Sequence, residues 1–130
     1  MRRFFLVALA GLALAGLAVA GPAAAEPETF EIDGEHMVVG FKISHIGFHD
    51  VFGRFNEAEG RFTYDEAENS LTALDVTIQT ASVDTGLKKR DAHVRDADFL
   101  NVEAHPTMTF TLTEATAETA TQGTVTGDLT

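Results

Sequence analysis

The stretch TMTFTLT at residues 107–113 alternates a threonine with an apolar residue at every step. Successive side chains of a β-strand point to opposite faces, so this order puts Met108, Phe110 and Leu112 on one face and the threonines on the other. Threonine is β-branched and suits a pleated surface. The stretch therefore predicts a strand with one buried face and one solvated face.

The same period of two extends outward from this stretch. About six strands are predicted in this way, near residues 28–33, 36–44, 58–64, 71–79, 107–115 and 122–130. Residues 87–100 break the rhythm, because they are rich in charge and place Asp91 and Arg95 four apart, as helical ion pairs are. The pattern predicts an all-β, mainly antiparallel sheet that curls or closes, with a short helical crossover around residues 87–100.

The N-terminal segment has the composition of a secretory signal peptide. Arg2 and Arg3 precede an apolar run over residues 4–19, and small residues at 23–25 follow Pro22. The apolar run is shorter than the roughly 20 residues that a membrane-spanning helix needs. We therefore predict a signal peptide at residues 1–25, cleavage near Ala25, and a periplasmic or secreted domain at residues 26–130 with no stable membrane span.

Composition excludes several classes of function. The net charge is −11, and it becomes −13 once Arg2 and Arg3 leave with the signal. An acidic surface of this strength repels phosphate backbones, so nucleic acid is not an expected partner. The chain has no cysteine, which excludes disulfides, thiol nucleophiles and cysteine metal sites.

Several motifs, taken in order, resemble those of the YceI-like family. The motifs are IDxxH at 32–36, FxIxH at 41–45, VFGRF at 51–55, SVDTG at 82–86, RDAHVRDADFL at 90–100, HPTMTF at 105–110 and VTGDLT at 125–130. The resemblance implies an eight-stranded, lipocalin-like β-barrel whose apolar channel holds a long isoprenoid chain, such as a polyprenyl phosphate or a quinone. Family domains continue beyond the glycine–x–leucine–threonine strand, so the barrel is expected to be incomplete, without its final strands.

Apolar side chains on the predicted inward faces are the candidate ligand-binding residues. The residues alone favour packing of these side chains against one another, and the resemblance reverses this preference toward a lipid cavity. The set is Val39, Phe41, Ile43, Phe52, Phe55, Phe62, Val76, Ile78, Phe99, Met108, Phe110 and Leu112.

The charged segment supplies candidates for contact with a ligand head group. Arg90, His93 and Arg95 could meet an anionic or quinone head at the barrel mouth. The alternative is structural: the two arginines would pair with nearby aspartates to lock the crossover, and His93 would be a satisfied hydrogen bonder.

The sequence predicts binding without catalysis. Ser44 and His45 are adjacent, but neighbours on a strand point to opposite faces, and no nucleophile elbow is present. His45 and His49 are four apart, but Gly47 lies between them and the segment reads as a turn, so no metal site is predicted. The expected partner is an isoprenoid lipid or quinone, with no other cofactor, and a homodimer is left open. The alternative functions are histidine-based metal binding or a packed-core structural protein of the periplasm.

Overall fold

The computed structural model describes residues 26–130, so the predicted signal peptide lies outside the described residues. Within that range no helix is long and apolar enough to cross a membrane. The elements are β1 Glu28–Glu31, β2 Val39–His45, β3 His49–Phe55, β4 Ala58–Asp65, β5 Ser70–Gln79, a 3-10 turn Thr80–Ser82, β6 Val83–Asp84, α1 Lys88–Arg95, β7 Thr107–Ala117 and β8 Gly123–Leu129.

The strands form two antiparallel sheets. The larger has the order β1-β4-β5-β7-β8, and the smaller has the order β2-β3-β6. The predicted fold class is confirmed, since the described chain is mainly antiparallel β with a single α-helix. All six predicted strands are present. Two further strands, β3 and β6, were not among them, because β3 has no clean alternation and β6 has only two residues.

A shared corner joins the two sheets. β3 runs directly into β4, and β5 runs through the 3-10 turn into β6, so two long stretches of chain remain paired across the change of sheet. The Asn56 N–H donates to the Ser82 carbonyl at 3.1 Å, and the Gln79 N–H donates to the Glu57 carbonyl at 2.9 Å. These hydrogen bonds satisfy the backbone at the corner, where the regular ladder is interrupted.

Irregular positions keep the apolar side chains facing the same way. At the corner, exposed Asn56 and Glu57 separate half-buried Phe55 from half-buried Ala58. Two consecutive outward residues reset the alternation, so both flanking residues face inward. A second irregularity in β7 works in the same manner, because Thr113 and Glu114 are both exposed. We call the apolar side that these breaks preserve the inner face.

The inner face is only partly covered. Of the large hydrophobic side chains described, Ile78 at 5% and Val83 at 1% exposure are the buried ones. No described strand pairs with the outer edge of β1, β2 or β8, so neither sheet closes within residues 26–130. The expectation of an incomplete barrel is therefore confirmed for the part of the chain that the structure describes.

Candidate ligand-binding face

The register of the five-stranded sheet aligns its apolar side chains in rows. Ile78 lies opposite Met108, and Val76 lies opposite Phe110. Directly opposed residues share a face and stand close enough to pack. Leu112, two residues beyond Phe110, continues the inner face along β7.

Aromatic rings extend these rows toward the edge of the sheet. Phe62 of β4 pairs with Phe30 of β1, and their rings stack with centroids 5.2 Å apart. The Phe110 ring covers Gly127 of β8, so a side chain added at Gly127 would collide with it. A glycine at this position therefore lets an aromatic ring lie flat against the sheet.

The β2–β3 hairpin presents a second set of apolar residues. Val39 lies opposite Phe55, and Ile43 lies opposite Val51. The Phe41 ring covers Gly53, its direct partner, and its centroid is 5.5 Å from that of Phe55. The sequence-predicted residues Val39, Phe41, Ile43 and Phe55 therefore share one face of the hairpin.

A hollow of about 360 Å³ lies where the β4–β5 and β7–β8 connections meet. The inner-face pairs Tyr64–Leu71 and Ala115–Val125 form its apolar part. Threonine hydroxyls and amide groups of the two turns complete the lining, and none of the described residues that line it carries a charge. The hollow therefore joins an apolar surface to neutral hydrogen-bonding groups.

Two predicted ligand-binding residues do not join the others. Phe52 lies opposite Lys42, on the other face of the hairpin from Phe55, and is 69% exposed. Phe99 is 61% exposed and packs edge-on against His93, with centroids 4.9 Å apart.

The structure also adds inner-face residues that the predicted set lacks, namely Phe30, Val51, Tyr64, Leu71, Leu74 and Leu129. Leu74 had a readable signal, because it alternates in phase with Val76 and Ile78. The positions of Tyr64 and Leu71 depend on an irregular register between β4 and β5, for which the sequence carries no clear mark.

Arg90 donates hydrogen bonds to Thr85, which precedes α1. Its Nε donates to the Thr85 hydroxyl and its Nη2 donates to the Thr85 carbonyl, both at 2.7 Å. Asp91, which is only 6% exposed, accepts hydrogen bonds from the N–H of Thr85 at 2.8 Å and from its hydroxyl. One threonine is therefore held by two consecutive residues of α1.

Arg95 joins the far end of α1 to the sheet corner. Its Nε donates to the Ala81 carbonyl and its Nη2 donates to the Val83 carbonyl, each at 2.7 Å. These contacts support the structural interpretation of both arginines, with backbone carbonyls and the Thr85 hydroxyl as the acceptors rather than neighbouring aspartates. His93 is exposed beside Phe99.

The carboxyl groups of Asp84 and Asp33 have pKa values below their ordinary value. The Gly86 N–H, at 2.8 Å from Asp84, and the Asn56 amide lower the pKa of the Asp84 carboxyl by stabilising its charged form. The His36 ring, at 2.7 Å from Asp33, and the Glu35 N–H lower the pKa of the Asp33 carboxyl in the same way. Neither group lies on the inner face, and no described set of three or more histidine, cysteine or acidic residues could hold a metal ion.

These features define a class: an antiparallel β-protein with a curved, apolar and partly open inner face. The YceI-like domain family matches residues 30–130, and the chain belongs to that family. A Campylobacter jejuni YceI protein of known structure is 37% identical, with a TM-score of 0.61, and the match covers 76% of this chain and 58% of that one. Burkholderia cenocepacia BcnA, at 24% identity and a TM-score of 0.68 over 76% of this chain and 62% of that one, shares the fold.

Curated relatives carry the description UPF0312 protein. One from Ectopseudomonas mendocina is 44% identical over 97 residues, which is 75% of this chain and 51% of that protein. One from Pectobacterium carotovorum is 47% identical over 85 residues, which is 65% of this chain and 44% of that protein. The chain therefore spans about half the length of the curated relatives that it matches.

Proposed function

We propose that the protein binds a long isoprenoid lipid or quinone along its inner face, as a carrier or store, without catalysing a reaction. One observation carries the proposal. The inner face stays apolar across both sheets, through cross-strand pairs such as Ile78–Met108, Val76–Phe110 and Val39–Phe55. A continuous apolar face of this kind suits an extended apolar chain, which binds by removal of its surface from water.

Burial alone supplies enough free energy for such a ligand. A five-carbon isoprenoid unit removed from water contributes roughly 3 kcal/mol, so four units contribute about 12 kcal/mol before losses. Ordering of the tail and loss of free translation subtract several kcal/mol or more. Micromolar or tighter binding follows without a strong polar contact, and affinity should depend on tail length.

The surroundings of the inner face favour a neutral head group. The hollow beside Tyr64 offers hydroxyl and amide groups and no charge among its described lining. Arg90 and Arg95 already donate to protein carbonyls and hydroxyls, which leaves fewer donors for a phosphate. A quinone or a polyprenyl alcohol therefore fits better than a polyprenyl phosphate, and His93 remains the freest of the three head-group candidates.

The predicted signal peptide favours a periplasmic or extracellular location for this role. Isoprenoid lipids are nearly insoluble in water, so a protein that holds them there needs an apolar surface shielded by a soluble exterior. The outer face fits that requirement, since it carries Arg61, Asp75, Thr111 and Asp128 in one row across the sheet.

The first experiment is native mass spectrometry of the full chain purified without detergent. A co-purified apolar adduct of several hundred daltons, released by organic solvent, is the expected result, and its mass would identify the ligand. An apo mass together with no uptake of added isoprenoids would contradict the proposal and favour a packed-core protein.

A matched pair of variants on β4 locates the binding face. Phe62→Ala removes an inner ring that stacks on Phe30, while Thr63→Ala changes the next residue, which faces the other way. Loss of the Phe62 ring from the contact with the ligand should weaken binding of a labelled isoprenoid about tenfold, corresponding to roughly 1.4 kcal/mol. Thr63→Ala should bind as the wild type does. Equal effects of the two changes would place the ligand elsewhere.

A further inference from the structure

We propose that His45 and His49 together form a two-ligand site for a divalent late transition-metal ion. His45 ends β2 and His49 begins β3, and the two are direct partners in the hairpin register. Their rings lie with centroids 5.0 Å apart and planes inclined by 55°. Both residues are exposed, so an ion in solution can reach them.

The separation of the rings matches the geometry of a shared ion. A metal–nitrogen bond to histidine is about 2.0–2.1 Å, and the ring centre lies roughly 1.1 Å behind the nitrogen. Two such rings on one ion, at an angle between about 90° and 109°, have centroids about 4.5–5.2 Å apart. The observed 5.0 Å falls inside this range, so binding requires ring rotation rather than backbone movement.

The hairpin holds the pair in place. Seven residue pairs connect β2 and β3, from Val39–Phe55 to His45–His49. The Phe48 N–H donates to the His45 carbonyl at 3.1 Å, and Ile46 and Gly47 both have positive φ, at 54° and 72°. A β-branched residue rarely adopts that backbone conformation, so a tight and specific turn sets the spacing of the two histidines.

The two imidazoles also have nitrogens available for a metal. Within the described residues neither ring takes part in a hydrogen bond, whereas His36 Nδ1 is bonded to Asp33 at 2.7 Å. Lys42 pairs with Asp50 at 3.1 Å on the other face of the hairpin, so this pair is directed away from the two rings. The ring nitrogens of His45 and His49 are therefore the donors that the site presents.

The donor type determines which ion is preferred. Imidazole suits copper, nickel and zinc, and the general order of affinity places Cu²⁺ above Ni²⁺ and Zn²⁺. Two protein ligands leave the remaining coordination positions to water or to an external donor. The pair shares a hairpin face with Ile43 and Val51, but its donors are ring nitrogens rather than apolar side chains, so metal binding does not require the proposed lipid.

Copper titration of the full chain, after treatment with a chelator, tests the proposal. Calorimetry should show about one Cu²⁺ per chain in the tightest phase, and electron paramagnetic resonance should show coupling to two nitrogens. His45→Gln and His49→Gln should each lower the affinity roughly tenfold or more, since one of two ligands is lost. His105→Gln, which changes an exposed histidine that precedes β7, should bind Cu²⁺ as the wild type does.

The same experiment contains the results that would overturn the proposal. Copper affinity unchanged in both His45→Gln and His49→Gln, or an equal loss in His105→Gln, would show that the pair is not the site. Absence of saturable binding to the wild type would have the same meaning. Far-ultraviolet circular dichroism of each variant checks that the exposed substitution leaves the sheets intact.

Discussion

The crossover at residues 80–95 and the inner face of the sheets are held together in different ways. The crossover contains Thr80 and Val83, each 1% exposed, and the buried carboxylate of Asp91. The inner face contains most of the large hydrophobic residues, yet Phe110 and Leu112 are only half-buried and Leu129 is mostly exposed. The region with fewer apolar residues is therefore the better packed of the two.

Hydrogen bonds hold the crossover in its arrangement. Within residues 26–130 every buried side-chain nitrogen or oxygen has a partner, and several of these partners lie in the crossover. Hydrogen bonds are directional, so they fix one arrangement, whereas apolar surface can be covered by any apolar material. The crossover therefore sets the geometry of the corner.

Removal of the Asp91 carboxylate should destabilise the crossover more than any other single change considered. Asp91→Ala leaves the Thr85 N–H and hydroxyl without their acceptor in a buried place. Bonds to a charged acceptor are worth more than neutral ones, and unsatisfied buried donors carry a desolvation penalty, so we expect the free energy of unfolding to fall by about 3 kcal/mol. Urea denaturation measures this change.

Two further variants control for that result. Asp91→Asn keeps one acceptor oxygen and should lose less than Asp91→Ala, while Asp98→Ala, at an exposed position, should stay within about 0.5 kcal/mol of the wild type. If Asp98→Ala cost as much as Asp91→Ala, the buried network would not explain the stability of the crossover.

Loss of the Arg95 guanidinium should have the next largest effect. Arg95→Met removes the hydrogen bonds to the carbonyls of Ala81 and Val83. We therefore expect the free energy of unfolding to fall by about 2 kcal/mol. Lys88→Met, at the exposed start of α1, removes a charge without such contacts and serves as the control. Thermal and urea denaturation compare the two.

Ligand affinity in Arg95→Met separates the two interpretations of this residue. A structural role predicts a less stable protein that binds tails with and without a head group in the same ratio as the wild type. A selective loss of affinity for ligands that carry an anionic head would instead identify Arg95 as a head-group contact.

The fold was largely predictable because threonine and apolar residues alternate so regularly. Strands β5 and β7 follow directly from that period, and the helical crossover follows from its interruption. β3 was missed because its apolar residues Val51 and Phe52 are consecutive and Gly53 follows them, which hides the period. β6 was missed because two residues are too few to show one.

The candidate site was predictable only where the period is regular. Phe41, Val76 and Phe110 were placed correctly on inward strand faces, but the irregular register at Tyr64 depends on cross-strand pairing that a single stretch does not encode. The acceptors of Arg95 lie 12 and 14 residues away along the chain, beyond any helical spacing rule. The cross-strand pairing of His45 and His49 likewise depends on the turn between them. In the sequence alone, that turn was an argument against a metal site.

Replacement of Asp84 should have the smallest effect on the stability of the crossover, and the effect should depend on pH. The Gly86 N–H and the Asn56 amide hold the pKa of this carboxyl below its ordinary value of 3.8, so the folded state favours the charged form. Its stabilising contribution is then fully present above the ordinary pKa and is lost as the pH falls through the lowered pKa of the folded state. Asp84→Asn should therefore be slightly less stable than the wild type near neutral pH, and the gap should close in acid below about pH 4. Urea midpoints measured between neutral and acidic pH, with the exposed Asp128→Asn as a control, would refute this if the gap for Asp84→Asn stayed constant or widened as the pH fell.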